Sequence, residues 1–107
     1  MTSPVLYLHS LLKYLDDLFL TDEIFWEIEK LDIENLEDQK IIIDKMIVPN
    51  FQEMDKDTQH RFLSYLDEIN RENIDCSRAF DNIDCYFDLN SFDKQGFVRL
   101  LESELRS

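Results

Sequence analysis

The chain has 107 residues, of which 44% are hydrophobic and eight are Phe; this is enough apolar material for one folded domain and too little length for two. A formal charge of −13, spread along the whole chain, predicts a surface that repels nucleic acid and anionic membranes and attracts basic proteins. One Gly and two Pro are too few for a hairpin-rich fold, so we predict a single all-α domain spanning residues 1–107, a compact antiparallel bundle of five or six helices.

The first half of the chain carries three predicted helices. Ser3, followed by Pro at the first helical position, caps a first helix that runs to about Leu20. Thr21 caps a second helix. A third runs over residues 36–48 and buries one stripe that includes Leu36; Pro49 stops it. The stretch that follows, VPNFQEMDKD at residues 48–57, is the longest predicted loop.

The second half carries three more predicted helices. The fourth begins near Asp57 and ends at about Glu72. Ser77 caps a short fifth, with Ala79, Phe80, Ile83 and Phe87 on one side, and Ser91 caps the sixth. The predicted core is apolar and comes from all helices except the fifth: Leu12, Leu15, Phe25, Ile28, Ile43, Ile47, Phe62, Leu66, Phe97 and Leu101.

The two cysteines, Cys76 and Cys85, each end an Asn-Ile-Asp-Cys motif. If residues 76–85 form one helix, the thiols lie on opposite faces about 13 Å apart along the axis, too far for a disulfide. The neighbouring aspartates disfavour a reactive thiolate. We therefore predict two free thiols that bind no metal; a break at Asp81 and Asn82 would leave a metal site or a redox pair as alternatives.

The segment SFDKQGFVRLLE, Ser91 to Glu102, fits the frame of a calcium loop, with Asp93 at position 3 and Gly96 at position 6. Ser91 stands where such loops have Asp, and the same residues fit a capped amphipathic helix, which is the interpretation we prefer. Gly-rich phosphate loops, nucleophile elbows and His-Glu-x-x-His are not found in the sequence. We expect neither enzymatic activity nor a cofactor.

The amino-terminal stretch MTSPVLYLHSLLKYL lacks the basic start and the small-residue cleavage site of a signal peptide. No apolar run approaches the ~20 residues of a membrane span. These features predict a cytosolic protein, where thiols stay reduced.

The segment SFDKQGFVRLLESEL, Ser91 to Leu105, resembles the closing helix of immunity proteins of the colicin D type, in which an acidic cap precedes a Leu/Val-rich helix. Small size, acidity and helicity are also typical of the immunity proteins of colicin and contact-dependent growth inhibition systems. The resemblance implies a monomeric bacterial inhibitor that neutralises a nuclease toxin, a tRNase, another RNase or a DNase, by covering its basic cleft with acidic side chains. Electrostatics independently favours a basic partner protein.

Two alternatives belong to other classes: a phage-encoded acidic mimic of nucleic acid, of the anti-CRISPR or anti-restriction type, and a metal-binding helical protein. For the inhibitor, two regions combine carboxylates with an aromatic side chain that could anchor a partner. The preferred region has Asp84 and Asp88 one helical turn apart beside Tyr86. The predicted partner-binding residues of this region are Asp81, Asp84, Tyr86 and Asp88. Those of the other region are Phe51, Glu53, Asp55, Asp57, Tyr65 and Asp67.

Overall fold

A computed structural model describes residues 3–107, and over these residues the chain is all-α, without a β-strand. This confirms the predicted fold class. The six α-helices are α1 (Pro4–Leu12), α2 (Asp22–Ile28), α3 (Leu36–Met46), α4 (Val48–Gln52), α5 (Lys56–Arg71) and α6 (Lys94–Arg106). Short 3₁₀ helices occupy Lys13–Leu15, Asp17–Phe19 and Ser77–Phe80. None of the helices in this part of the chain is long and apolar enough to cross a membrane.

Side-chain caps fix where the helices begin. The predicted caps Ser3 and Thr21 are confirmed: their hydroxyls accept from the amides of Val5 and Ile24, each at 3.2 Å. A polar side chain at this position satisfies an amide that has no partner inside the helix.

The predicted start of α5 near Asp57 is correct to within one residue, and the predicted cap of α6 is wrong by two. α5 begins at Lys56, because Asp55 accepts from the Thr58 amide at 2.7 Å and caps the helix. α6 is capped by Asp93 and not by Ser91. Asp93 accepts from the amide of Gly96 at 3.1 Å, and a Cβ on that glycine would lie 2.8 Å from the second carboxylate oxygen. The chain's only glycine therefore makes room for this cap.

The first predicted helix is too long. α1 ends at Leu12, and the chain continues as two 3₁₀ turns separated by Asp16 in an extended conformation. The Asp16 carboxylate accepts from the amides of Leu18 (3.0 Å) and Asp84 (3.2 Å). This side chain competes with helical hydrogen bonding and turns the chain away from the helix axis.

The predicted 48–57 loop contains α4. Pro49 occupies the first turn of α4, where its missing amide costs nothing, and Phe51 is only 3% exposed. The side-chain amide of Gln59 donates to the carbonyls of Phe51 (3.1 Å) and Met54 (2.9 Å). The predicted loop is thus a short helix that covers the core and is closed by α5.

The predicted fifth helix is wrong. Only Ser77–Phe80 forms a 3₁₀ turn, Ser77 is not its cap, and Asn82 has a positive φ of 59° that ends any helix there. The argument that put the two thiols on opposite faces of one helix therefore fails. Both cysteines are nevertheless free, with Cys76 buried and Cys85 half-buried.

One apolar core joins the helices. α6 packs against α3 and α5, and α5 packs in turn against α1, so that the amphipathic α6 lies at the centre of the bundle. All predicted core residues are buried except Phe25, which is half-buried. Leu36, predicted to be buried, is 66% exposed, because it lies in the first turn of α3, before the buried residues of this helix begin at Gln39.

Candidate protein-binding surface

A backbone contact between two distant segments builds the surface. Asp16 and Cys85 form an isolated antiparallel bridge, and the Asp17 amide donates to the Asp84 carbonyl at 2.8 Å. A shallow depression of about 530 Å³ lies over this contact, lined by Asp16, Asp17, Leu18, Asp84 and Cys85. Three carboxylates from opposite ends of the sequence are thereby gathered on one face.

An aromatic group continues this face. Tyr86 follows the bridge and is 47% exposed, and its hydroxyl donates to the Glu29 carbonyl at 3.0 Å. Phe25 meets Tyr86 edge to face at 5.3 Å between ring centroids and Trp26 at 6.1 Å. Trp26 is 70% exposed and Leu18 is 89% exposed. We call these residues the acidic-aromatic surface: Asp16, Asp17, Leu18, Trp26, Asp84 and Tyr86.

The carboxylates of Asp17 and Asp84 take part in no side-chain hydrogen bond or ion pair among the described residues. The ion pairs within residues 3–107 are Lys40–Glu104, Lys45–Glu27, Arg71–Asp67 and Arg106–Glu102, and none of them belongs to the acidic-aromatic surface. Asp16, in contrast, is engaged by two backbone amides. Asp17 and Asp84 are exposed and can pair with the cations of a partner without breaking an internal bond.

The residues of the preferred predicted region do not all lie on one surface of the structure. Asp84 and Tyr86 lie on the acidic-aromatic surface, while Asp81 lines a separate groove of about 600 Å³ with His9 and Arg78. Asp88 is exposed and accepts from the Asn90 amide at 2.9 Å. The prediction that Asp84 and Asp88 lie one helical turn apart is wrong, because this stretch is not helical.

The residues of the other predicted region also fail to form one exposed surface. Phe51 is buried, so it cannot be an exposed anchor, and Tyr65 is half-buried against Tyr7, with ring centroids 4.2 Å apart. Burial of these rings contributes to the core and leaves little aromatic area for a partner.

The acidic residues of that region differ in their internal roles. Asp55 caps α5, and the hydrogen bond from the Thr58 amide lowers the pKa of its carboxyl. Asp67 pairs with Arg71 at 3.1 Å. Glu53 and Asp57 are exposed, with no side-chain hydrogen bond or ion pair among the residues described. These two carboxylates make a matched comparison with Asp17 and Asp84.

Four residues of the surface were not among the predicted partner-binding residues: Asp16, Asp17, Leu18 and Trp26. Trp26 had a usable signal, since the chain's only Trp falls outside the apolar stripe of α2 formed by Ile24 and Ile28. Leu18 had none, because its exposure follows from the turn at Asp16.

Residues 3–107 contain no cluster of three or more His, Cys, Asp or Glu placed to hold a metal ion. The calcium-loop frame falls largely within α6, so the helix interpretation of this segment is confirmed. Glu102 accepts from the side chains of Asn70 (2.8 Å) and Arg106 (2.7 Å).

One carboxyl pair joins helices that are distant in sequence. Glu104 on α6 faces Asp44 on α3, and burial together with the hydrogen bond and repulsion from Asp44 raises the pKa of Glu104. Lys40, 4.0 Å away, opposes this shift. The pair lies between α3 and α6, and no sequence pattern distinguishes it among the 24 acidic residues.

The thiols are held in the protonated form. Cys76 donates from Sγ to the side-chain oxygen of Gln95 at 2.6 Å. Burial, reinforced by nearby aspartates, raises the pKa of both Cys76 and Cys85 to about 11. Neither environment favours a nucleophilic thiolate.

Thiol labelling should reflect this protection. At pH 8.5 we expect both cysteines of the folded protein to react with iodoacetamide about 100-fold more slowly than in urea. A thiol pKa of about 11 in the folded protein leaves little of the reactive thiolate at this pH. The rates should rise as the pH approaches 11. Mass spectrometry at each site gives the measurement, and a fast rate at Cys76 in the folded protein would contradict the buried geometry.

No protein-family model matches this chain, and no curated protein or solved structure matches it either. The resemblance to immunity proteins therefore stays a prediction.

Proposed function

We propose that the protein is an inhibitor that binds a basic partner protein, and specifically an immunity protein that neutralises a bacterial nuclease toxin in the cytosol. The observation that supports this proposal is the acidic-aromatic surface, where the Asp17 and Asp84 side chains are exposed beside Tyr86 and have no ion pair within residues 3–107. Protein interfaces combine such aromatic anchors with charges that guide association.

The electrostatic argument concerns the partner. A nuclease presents a cationic cleft to the phosphates of its substrate, and an acidic protein can occupy that cleft in their place. Carboxylates that are already bonded internally would have to break those bonds. Asp17 and Asp84 have no such cost, which makes them better phosphate substitutes than Asp55 or Asp67.

Charge reversal tests the proposal. We expect Asp17→Lys with Asp84→Lys to slow association with the toxin, taken as the product of the gene immediately upstream, by about 10-fold or more at low salt. The salt dependence of the rate should become shallower, and protection of the nucleic-acid substrate should weaken. Stopped-flow association and a nuclease assay supply the two measurements.

The matched control is Glu53→Lys with Asp57→Lys, which changes the net charge by the same amount at exposed carboxylates without internal bonds. It should slow association much less. Equal loss in the two variants would mean that net charge, not this surface, determines the rate. An upstream product that is acidic, or that lacks nuclease activity, would contradict the immunity function, and capture of a CRISPR or restriction enzyme instead would indicate the nucleic-acid mimic.

A further inference from the structure

We propose that Trp26, with Leu18 and Tyr86, anchors the acidic-aromatic surface to a partner surface that is apolar at its centre and cationic around it. This inference deepens the proposed function by specifying the chemistry of the partner, and it is tested without the toxin. Leu18 and Trp26 are the most exposed large hydrophobic side chains of the described residues, at 89% and 70%. Leu18 lines the depression with Asp84 and Cys85, and Trp26 contacts Phe25, whose ring packs on Tyr86. Strongly exposed apolar side chains around one aromatic group commonly mark an interaction site.

The aromatic part is organised before a partner arrives. Tyr86 is held by its hydrogen bond to the Glu29 carbonyl, and Phe25 supports both Tyr86 and Trp26 through edge-to-face contacts. Rings with few rotatable bonds and fixed neighbours lose little conformational freedom on binding. This favours Trp26 and Tyr86 as the residues that dominate affinity.

The charges around the rings select the partner. Asp22 and Glu23 lie exposed in the first turn of α2, the helix that carries Trp26, while Asp17 and Asp84 flank Leu18 and Tyr86 across the bridge. The nearby Glu27 is already paired with Lys45 at 3.2 Å. A cationic rim on the partner would complement these four exposed carboxylates, none of which forms an ion pair with another described residue. A second copy of the chain would instead bring like charges together, since each carries −13.

The fluorescence of the single Trp reports occupancy of the surface directly. The probe is a synthetic amphipathic helical peptide of Leu and Lys. We expect it to shift the Trp26 emission to shorter wavelength and to protect the ring from acrylamide quenching. Two control peptides isolate the contributions: one replaces Lys with Glu, the other replaces Leu with Ala. Neither should bind comparably.

Variants then test the anchor by calorimetry, which does not need the fluorophore. Trp26→Ala should weaken binding of the Leu/Lys peptide by about 30-fold, the effect expected for a residue at the centre of an interface. The control is Leu6→Ala, which removes a side chain of comparable exposure, 62%, from the separate groove of His9 and Arg78. It should change the affinity less than 3-fold. Circular dichroism should show both variants folded, because both side chains are largely exposed.

Several results would overturn the anchor. These are failure of the Leu/Lys peptide to bind, equal binding of the Ala/Lys or Leu/Glu peptide, and full affinity of Trp26→Ala. A blue shift that grows with protein concentration in the absence of peptide would assign the surface to a second copy. Peptide binding that follows the expected pattern, together with failure to inhibit any nuclease, would retain the anchor and reject only the immunity function.

Discussion

Replacing Phe97 with Ala is expected to lower the free energy of unfolding by about 3–5 kcal/mol. Phe97 is fully buried on α6, and its ring meets those of Phe92 and Phe80 at centroid distances of 5.3 and 5.9 Å. The substitution removes the ring and leaves a cavity that the surrounding rings fill only in part. Because small domains are stable by only about 5–15 kcal/mol, the loss should be visible in both chemical and thermal unfolding.

The matched control is Leu36→Ala. Leu36 is apolar and helical like Phe97, but it is 66% exposed in the first turn of α3, so its truncation should change stability by no more than about 0.5 kcal/mol. Urea unfolding of the two variants gives the comparison. A large loss for Leu36→Ala would restore its predicted place in the core, and a small loss for Phe97→Ala would mean that α6 is not the centre of the bundle.

The parts of the fold that were predictable depend on neighbours in sequence. An N-cap such as Ser3 or Thr21 acts on an amide two or three residues away, so the letters that form it are adjacent. The same is true of the apolar stripe of α6, which the spacing of Phe97, Val98 and Leu101 indicates. These local patterns sufficed for the fold class and for most of the core.

The segment between α5 and α6 could not be predicted because distant residues hold it. Asp16 accepts from the Asp84 amide, and the Asp17 amide donates to the Asp84 carbonyl, although these residues lie far apart in the sequence. Gln95 makes comparable contacts with residues 73–76. The spacing of the residues within 73–93 does not indicate either set of contacts. The apolar residues there happen to recur at helical spacing, and this led to the wrong prediction of a helix.

The candidate site was predictable only in part for the same reason. Asp84 and Tyr86 were selected from a cluster of acidic residues around an aromatic residue, and both are exposed on either side of Cys85, which forms the bridge with Asp16. Phe51 was selected by the same reasoning but is buried, because a segment expected to be a loop folds as α4. Leu18 joins the surface through the bridge between residues 16 and 85, and Trp26 joins it through the packing of Phe25 on Tyr86.

Gln95 is the side chain that ties this irregular segment to the bundle. Its oxygen accepts from the Cys76 amide at 3.0 Å and from the Cys76 thiol, and its nitrogen donates to the Ile74 carbonyl at 3.1 Å. Gln95→Leu keeps a similar volume but leaves the part-buried polar groups of Cys76 and Ile74 without these partners. Each orphaned group costs about 1–3 kcal/mol, so we expect a loss of at least that size in the free energy of unfolding.

The loss should be local as well as global. In Gln95→Leu, hydrogen exchange at the Cys76 amide and alkylation of the Cys76 thiol should both accelerate relative to the wild type, because the segment before the 3₁₀ turn at Ser77–Phe80 loses its attachment to α6. Gln52→Leu is the control: it makes the same chemical change at an exposed glutamine on α4 and should alter neither rate. If Cys76 exchanges and reacts at wild-type rates in Gln95→Leu, the segment is held by its apolar contacts alone, and Gln95 has no anchoring role.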